Sequence, residues 1–205
     1  MRQIFVLMGK SCSGKDTILS RLKREGIPDL KFAMPCTSRP MRDNEVDGEA
    51  YVFLSRDEFM RRIKGNEFVD VRKYETSNGT WFYGFLPLEE DLDCNHMLIG
   101  TLETVEYLKR RYRKHKIVTL YLDLPDDERV VRILKRNTNF KETCRRYLAD
   151  EEDFAPSKFN ELGDFYKIDN SQSINHTVNR IKEIVDAYNS LSNIQNKLML
   201  LAEKR

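Results

Sequence analysis

Nowhere in these 205 residues does an apolar run approach the length needed to span a bilayer. Charge of one sign is lacking as well: 35 basic and 33 acidic residues leave a formal charge of +2. A basic face for nucleic acid or for an anionic membrane is therefore not expected, and neither partner is assigned. Cysteines are few, at positions 12, 36, 94 and 144, with no C-x-x-C pair. That spacing gives neither a disulfide framework nor a zinc site, and it fits a reducing cytoplasm. The three histidines, His96, His115 and His176, are scattered without metal-ligand spacing. The opening MRQIFVLMG lacks the small-residue cleavage site of a signal peptide. A cytoplasmic protein, monomer or homodimer, is the expectation.

What is present is an ordinary globular composition, 40% apolar, enough for one domain. Ile4 to Met8 reads as a fully buried strand, continuous and apolar until Gly9 stops it. The segment DTILSRLKRE spaces Ile18, Leu19 and Leu22 as a helix that Gly26 and Pro28 end. Further strands are expected at Met97–Ile99, at about Lys116–Leu124 and in FYKIDN. Helices are expected in TLETVEYLKRRYRK, DDERVVRILKR and ETCRRYLADEEDF, and from about Thr177 to Leu201. Strands alternating with helices argue for an α/β fold with a parallel sheet flanked by helices. From about Met34 to Leu88 the rhythm breaks, and short antiparallel strands around loops are expected there as a small inserted lobe.

The stretch GKSCSGKDT fills the phosphate-loop pattern G-x-x-x-x-G-K with Gly9, Gly14 and Lys15. Small residues there, Ser11 and Ser13 included, let backbone N–H groups converge on phosphate oxygens at the start of a helix. Lys15 would reach the β- and γ-phosphates of a nucleotide. Asp16 stands where a hydroxyl is usual, and Thr17 supplies one a step later. Mg²⁺ prefers oxygen ligands, so Asp16 and Thr17 are its candidate ligands; Asp16 equally suits the first turn of a helix.

A second cluster, TSRPMRDNEVDGEAYVF, sets Arg39 and Arg42 about a proline with Tyr51 downstream. Two guanidinium groups and a phenol can grip a monoester phosphate. With the phosphate loop before it, this stretch resembles the guanylate kinase family, whose pattern T-T-R-x-x-R-x-G-E-V-D-G-x-D-Y-x-F is matched at Thr37, Arg39, Arg42, EVDG, Tyr51 and Phe53. GNEFVD followed by FYG is similar to the family's G-E-F-x-E followed by Y-Y-G. The resemblance runs from about residue 3 to 185. It implies a P-loop NTPase core (about 1–33, 89–134 and 151–205), a nucleotide-binding lobe (about 34–88) and a helical lid (about 135–150). It also implies an ATP- and Mg²⁺-dependent kinase of GMP or dGMP. Carried over by position, Arg39, Arg42, Tyr51 and Tyr83 hold the acceptor's phosphate, and Asp70 falls where a glutamate reads guanine. Arg136 and Arg146 match the lid arginines, with Arg145 the adjacent candidate, and Arg42 and Lys15 join them as catalytic. Asp169 and Asn170 fall where the family meets adenine.

Departures from that pattern fall on the base, not on the phosphate grips. Pro35 replaces a serine and Phe85 a serine or threonine. The family's acidic strand end is here GTLET, which leaves Glu103 as the nearest carboxylate. A same-fold kinase of another phosphorylated acceptor, such as ribose 1,5-bisphosphate, stays open. So does a binding module without catalysis, although Gly9, Gly14 and Lys15 argue for an enzyme.

Overall fold

The computed structural model describes residues 2–42, 45–49, 51–76, 79–88, 94–136, 140–160 and 162–202; the side chains at 76, 136, 140, 142, 146, 193 and 195–202 lie outside that description. Elements follow in chain order: β1 (Gln3–Met8), α1 (Lys15–Glu25), β2 (Leu30–Phe32), β3 (Pro35–Thr37), β4 (Val52–Phe53), α2 (Arg56–Lys64), β5 (Asp70–Thr76), β6 (Gly79–Phe85) and β7 (Asn95–Ile99). Then come α3 (Leu102–Arg111), β8 (Lys116–Asp123), α4 (Asp126–Arg136), α5 (Phe140–Asp153), a short 3₁₀ turn (Pro156–Phe159), β9 (Asp164–Asp169) and α6 (Ile174–Ala202).

Five strands form a parallel sheet in the order β2-β7-β1-β8-β9, so β1 is central. Its side chains alternate between two cores. Phe5 and Leu7 pack with Ile18 and Leu22 of α1 and with Val178, Ile181 and Val185 of α6. Ile4, Val6 and Met8 pack with Leu102, Val105 and Leu108 of α3. Burying both faces is why Ile4–Met8 is uninterruptedly apolar; all five side chains are 0% exposed, and each contributes about 1.5–3 kcal/mol by leaving water. The loop after this strand is therefore anchored on a strand buried on both faces.

A second sheet has the order β4-β3-β6-β5. The expectation of short antiparallel strands holds for β3–β6 and β5–β6, whereas β3 and β4 pair in parallel. The same region also contains α2, a helix not expected from the sequence. Ser55 caps it by accepting the Glu58 N–H at 3.1 Å, and Phe59 buries its apolar side against Cys36 and Phe82. Among the described residues, no helix is long and apolar enough to cross a membrane.

Candidate active site

Two glycines let the loop after β1 close tightly. A Cβ at Gly9 would lie 2.6 Å from the Ser13 hydroxyl and 2.9 Å from the Leu122 carbonyl oxygen. Gly14 turns the chain into α1 in the left-handed conformation, at φ 94°. The helix start that follows favours an anion through its exposed N–H groups and dipole. Lys15 Nζ folds back over the loop, donating to the carbonyls of Gly9 at 2.6 Å and Lys10 at 3.0 Å. The Ser13 hydroxyl is buried and has no hydrogen-bond partner among the described residues, packed where a Cβ on Gly9 would stand.

Asn170, expected from the resemblance near the adenine, lies buried beneath the phosphate loop. Nδ2 donates to the Ser13 carbonyl, and Oδ1 accepts from the Thr177 hydroxyl at 2.7 Å. With donor and acceptor both committed, Asn170 braces the loop from behind. Its own N–H donates to the Asp123 carbonyl at the end of β8 at 2.7 Å.

Asp16 and Thr17, exposed at the start of α1, line a shallow cavity of about 350 Å³ with Cys12, Gly14, Lys15 and Arg132. Arg132, on α4, is a residue the sequence reading did not single out. Tyr51 donates its hydroxyl to Asp16 Oδ1 at 3.3 Å. Burial and the Asp16 carboxylate push the Tyr51 phenol above its ordinary range, so it remains a donor at neutral pH. Among the described residues no three His, Cys, Asp or Glu side chains cluster as a metal cage. One carboxylate and one hydroxyl beside a phosphate loop fit Mg²⁺, which is commonly held by few side chains plus substrate phosphates.

Across the cavity, strand register gathers residues far apart in sequence. Pro35, Phe85 and Asp70 form one row over β3, β6 and β5. Two positions along, Thr37, Tyr83 and Arg72 form the next, followed by Trp81 beside Tyr74. The intervening Cys36 and Phe82 face the lobe's own core. Arg39 is 8% exposed and forks onto Glu45 with two bonds of 2.6 Å, its guanidinium 5.3 Å from the Tyr51 ring centre and 5.1 Å from that of Phe53. Those bonds hold the Glu45 carboxyl below its usual range. Glu45 also accepts the Arg42 N–H at 2.9 Å, so one carboxylate organises both arginines. The sequence signal for Glu45 was its place at the head of EVDG. Tyr83 meets Tyr51 edge-on at 6.0 Å.

Asp70 Oδ2 accepts from Thr104 at 2.7 Å and from Arg72 at 2.6 Å. Glu103 stands outside the cavity lining. It is exposed and accepts from the Thr101 hydroxyl within the first turn of α3; Thr101, not Glu103, lines the cavity. The far wall is α5, which presents Arg145, Ala149, Asp150 and Asp153. Asp150 accepts from the Ser11 N–H at 2.9 Å and hydroxyl at 3.0 Å, and from fully buried Arg129 at 2.9 Å. Burial raises the Asp150 carboxyl above its ordinary value despite these partners. The side chains of Arg136 and Arg146 lie outside the described residues.

These walls enclose one cavity of about 820 Å³, with Gly9, Ser11 and Lys15 at one end and Arg39, Arg42, Tyr51, Tyr83 and Asp70 at the other. A phosphate loop on a central parallel strand, facing an anion grip across one cleft, defines a P-loop phosphotransferase. The guanylate kinase family profile matches residues 1–188. The chain is 32% identical over 167 residues to the guanylate kinase of Bacteroides fragilis, covering 78% of this chain and 79% of that one. It is 30% identical over 192 residues to that of Mycoplasmoides gallisepticum, covering 91% and 93%. In fold it is similar to the guanylate kinase of Anaplasma phagocytophilum, with a TM-score of 0.64 and 21% identity over 91% of this chain and 86% of that one. The chain belongs to the guanylate kinase family of nucleoside monophosphate kinases.

Proposed function

We propose that the protein transfers the γ-phosphoryl group of ATP to GMP or dGMP, giving ADP and the nucleoside diphosphate. The observation that carries this reading is the single cavity joining the phosphate loop to the Arg39–Arg42–Tyr51–Tyr83 grip. ATP would lie with its β- and γ-phosphates on the loop N–H groups and Lys15. The acceptor's phosphate would be held by the arginines and phenols, oriented for in-line attack. Catalysis of this kind is mostly positioning and charge stabilisation. Tyr51, bonded to Asp16, ties the acceptor grip to the donor helix, which supports a fixed distance between the two phosphates. Asp16 and Thr17 would be the protein-side oxygens for Mg²⁺, which would supply positive charge against the donor phosphates. Arg145 on α5 lines the cavity between donor and acceptor, and Arg132 on α4 lines the smaller cavity at Asp16 and Thr17; both would supply positive charge near the donor phosphates.

Base choice in this reading falls to the row Pro35–Phe85–Asp70, with Asp70 accepting from guanine. An ATP-coupled assay over GMP, dGMP, AMP, CMP, UMP and ribose 1,5-bisphosphate tests the assignment. Turnover of GMP or dGMP above all others is expected. Turnover of the sugar bisphosphate without GMP would overturn it, as would ATP binding with no acceptor phosphorylated.

A further inference from the structure

We propose that Arg72 is a specificity-determining residue of the acceptor pocket: with Asp70 it reads the 6-oxo, N1–H edge shared by guanine and hypoxanthine. The inference rests on the acceptor-pocket reading above. Arg72 and Asp70 stand two positions apart on β5, side by side on the face that lines the cavity. Their N–O separation is 2.6 Å, and their side chains are only 20% and 14% exposed. This is an enclosed pair and not a solvated surface bridge.

The geometry restricts what Asp70 can do alone. Among the described residues, both side-chain bonds to it, from Arg72 and from Thr104, fall on Oδ2. A carboxylate oxygen offers about two lone-pair sites, so Oδ2 is filled and Oδ1 is left to accept from a base. Gripping guanine N1–H and N2–H₂ with one oxygen each is thereby closed. Arg72 Nη2 is spent on Asp70 Oδ2 and the Thr104 hydroxyl, and the guanidinium also bonds Tyr74, so what the pair offers instead is Asp70 Oδ1 beside the remaining guanidinium N–H groups. Guanine sets N1–H beside O6, the complementary order, and hypoxanthine has the same two groups. Adenine reverses both, with an acceptor at N1 and an amine at C6, so carboxylate and guanidinium would each face the wrong partner. A site built on such groups rejects a base that leaves them unpaired. Pro35 and Phe85, in the row with Asp70, bring no side-chain hydrogen bond, so the choice falls on the pair. Arg72 supplies the donor that those two residues do not.

The test is kcat/KM for GMP, IMP and AMP in the wild type, Arg72→Ala and Arg72→Lys, with circular dichroism as a fold check. IMP should fall within about tenfold of GMP in the wild type, since only the N2 contact differs. Arg72→Ala should lower GMP and IMP together by roughly 10- to 100-fold, the worth of a charge-assisted hydrogen bond. AMP should change little, so the GMP-to-AMP ratio collapses, and Arg72→Lys should retain part of it. A merely structural role would lower all three acceptors alike. A folded Arg72→Ala with an unchanged GMP-to-AMP ratio overturns the proposal. So does wild-type IMP turnover roughly a thousandfold or more below that of GMP, which stands even if the variants do not fold. A wild type that phosphorylates none of the three sinks the acceptor assignment itself, a failure distinct from that of Arg72.

Discussion

Replacing Arg129 by methionine perturbs the joint between the phosphate loop and α5. Arg129 has no exposed surface, and its guanidinium bonds Asp126 at 2.9 Å, Asp150 at 2.9 Å and Glu151 at 3.0 Å, 4.6 Å from the Tyr147 ring centre. Asp126 and Glu151 are 46% and 42% exposed, so losing either pair costs only about 0–1 kcal/mol. Asp150 is 9% exposed, and stripping the partner from a buried charge costs about 3–5 kcal/mol. Ser11 still supplies two hydrogen bonds to Asp150, and methionine refills most of the volume, which favours the lower end. A net loss of about 3 kcal/mol is expected, equivalent to a fall in Tm of roughly 6–12 °C for a chain of this size. Urea unfolding at neutral pH should show a lower midpoint with an unchanged slope. The pH dependence has a definite sign. Burial raises the folded-state pKa of Asp150, so the cost of ionising it is absent below the unfolded aspartate value and fully present above the folded one. The penalty of Arg129→Met should therefore shrink as the pH falls to about 4. A neutral-pH penalty under about 0.5 kcal/mol, or one that grows with acid, would refute the reasoning.

Lys15→Met should lower turnover by orders of magnitude while leaving the fold intact, and near-normal turnover would remove the loop from the mechanism. Asp16→Ala should raise the Mg²⁺ concentration needed for half-maximal rate more than it weakens metal-free ATP binding; an unchanged magnesium titration would leave Asp16 as a helix-start acid and a partner for Tyr51. Arg145→Ala should reduce kcat with little change in acceptor KM, because a group meeting charge that develops on the transferred phosphoryl acts in the transition state. A defect confined to KM would place Arg145 among the acceptor's ligands.

How much of this was legible in the sequence depended on how local each signal is. The strand Ile4–Met8, its loop and α1 are readable because burial on both faces demands an unbroken apolar run and the loop demands its glycines. The helix α2 carried a local signature, Ser55 followed by Glu58, which the turn-rich surroundings masked. The place of the Asn170 amide under Ser13 could not be read, because adjacency in sequence cannot tell an outward amide from one folded beneath a loop. Glu103 has the right charge, yet the first turn of α3 directs it to Thr101. Arg72 and Asp150 become meaningful only once strand register and helix packing bring them to the cavity, Arg132 once α4 brings it beside Asp16, and Glu45 once it forks onto Arg39.

The central claim is that donor and acceptor phosphates meet in one cavity, and phosphorus NMR of a mixture of protein, ATP, Mg²⁺ and GMP tests it most directly. The expected result is stoichiometric: ADP and GDP appear together in equal amounts as ATP and GMP decline, with no inorganic phosphate resonance of comparable size. ADP accumulating with inorganic phosphate while GMP stays unchanged would contradict it, because the loop would then deliver its phosphoryl group to water and not to a ligand held by Arg39, Arg42, Tyr51 and Tyr83.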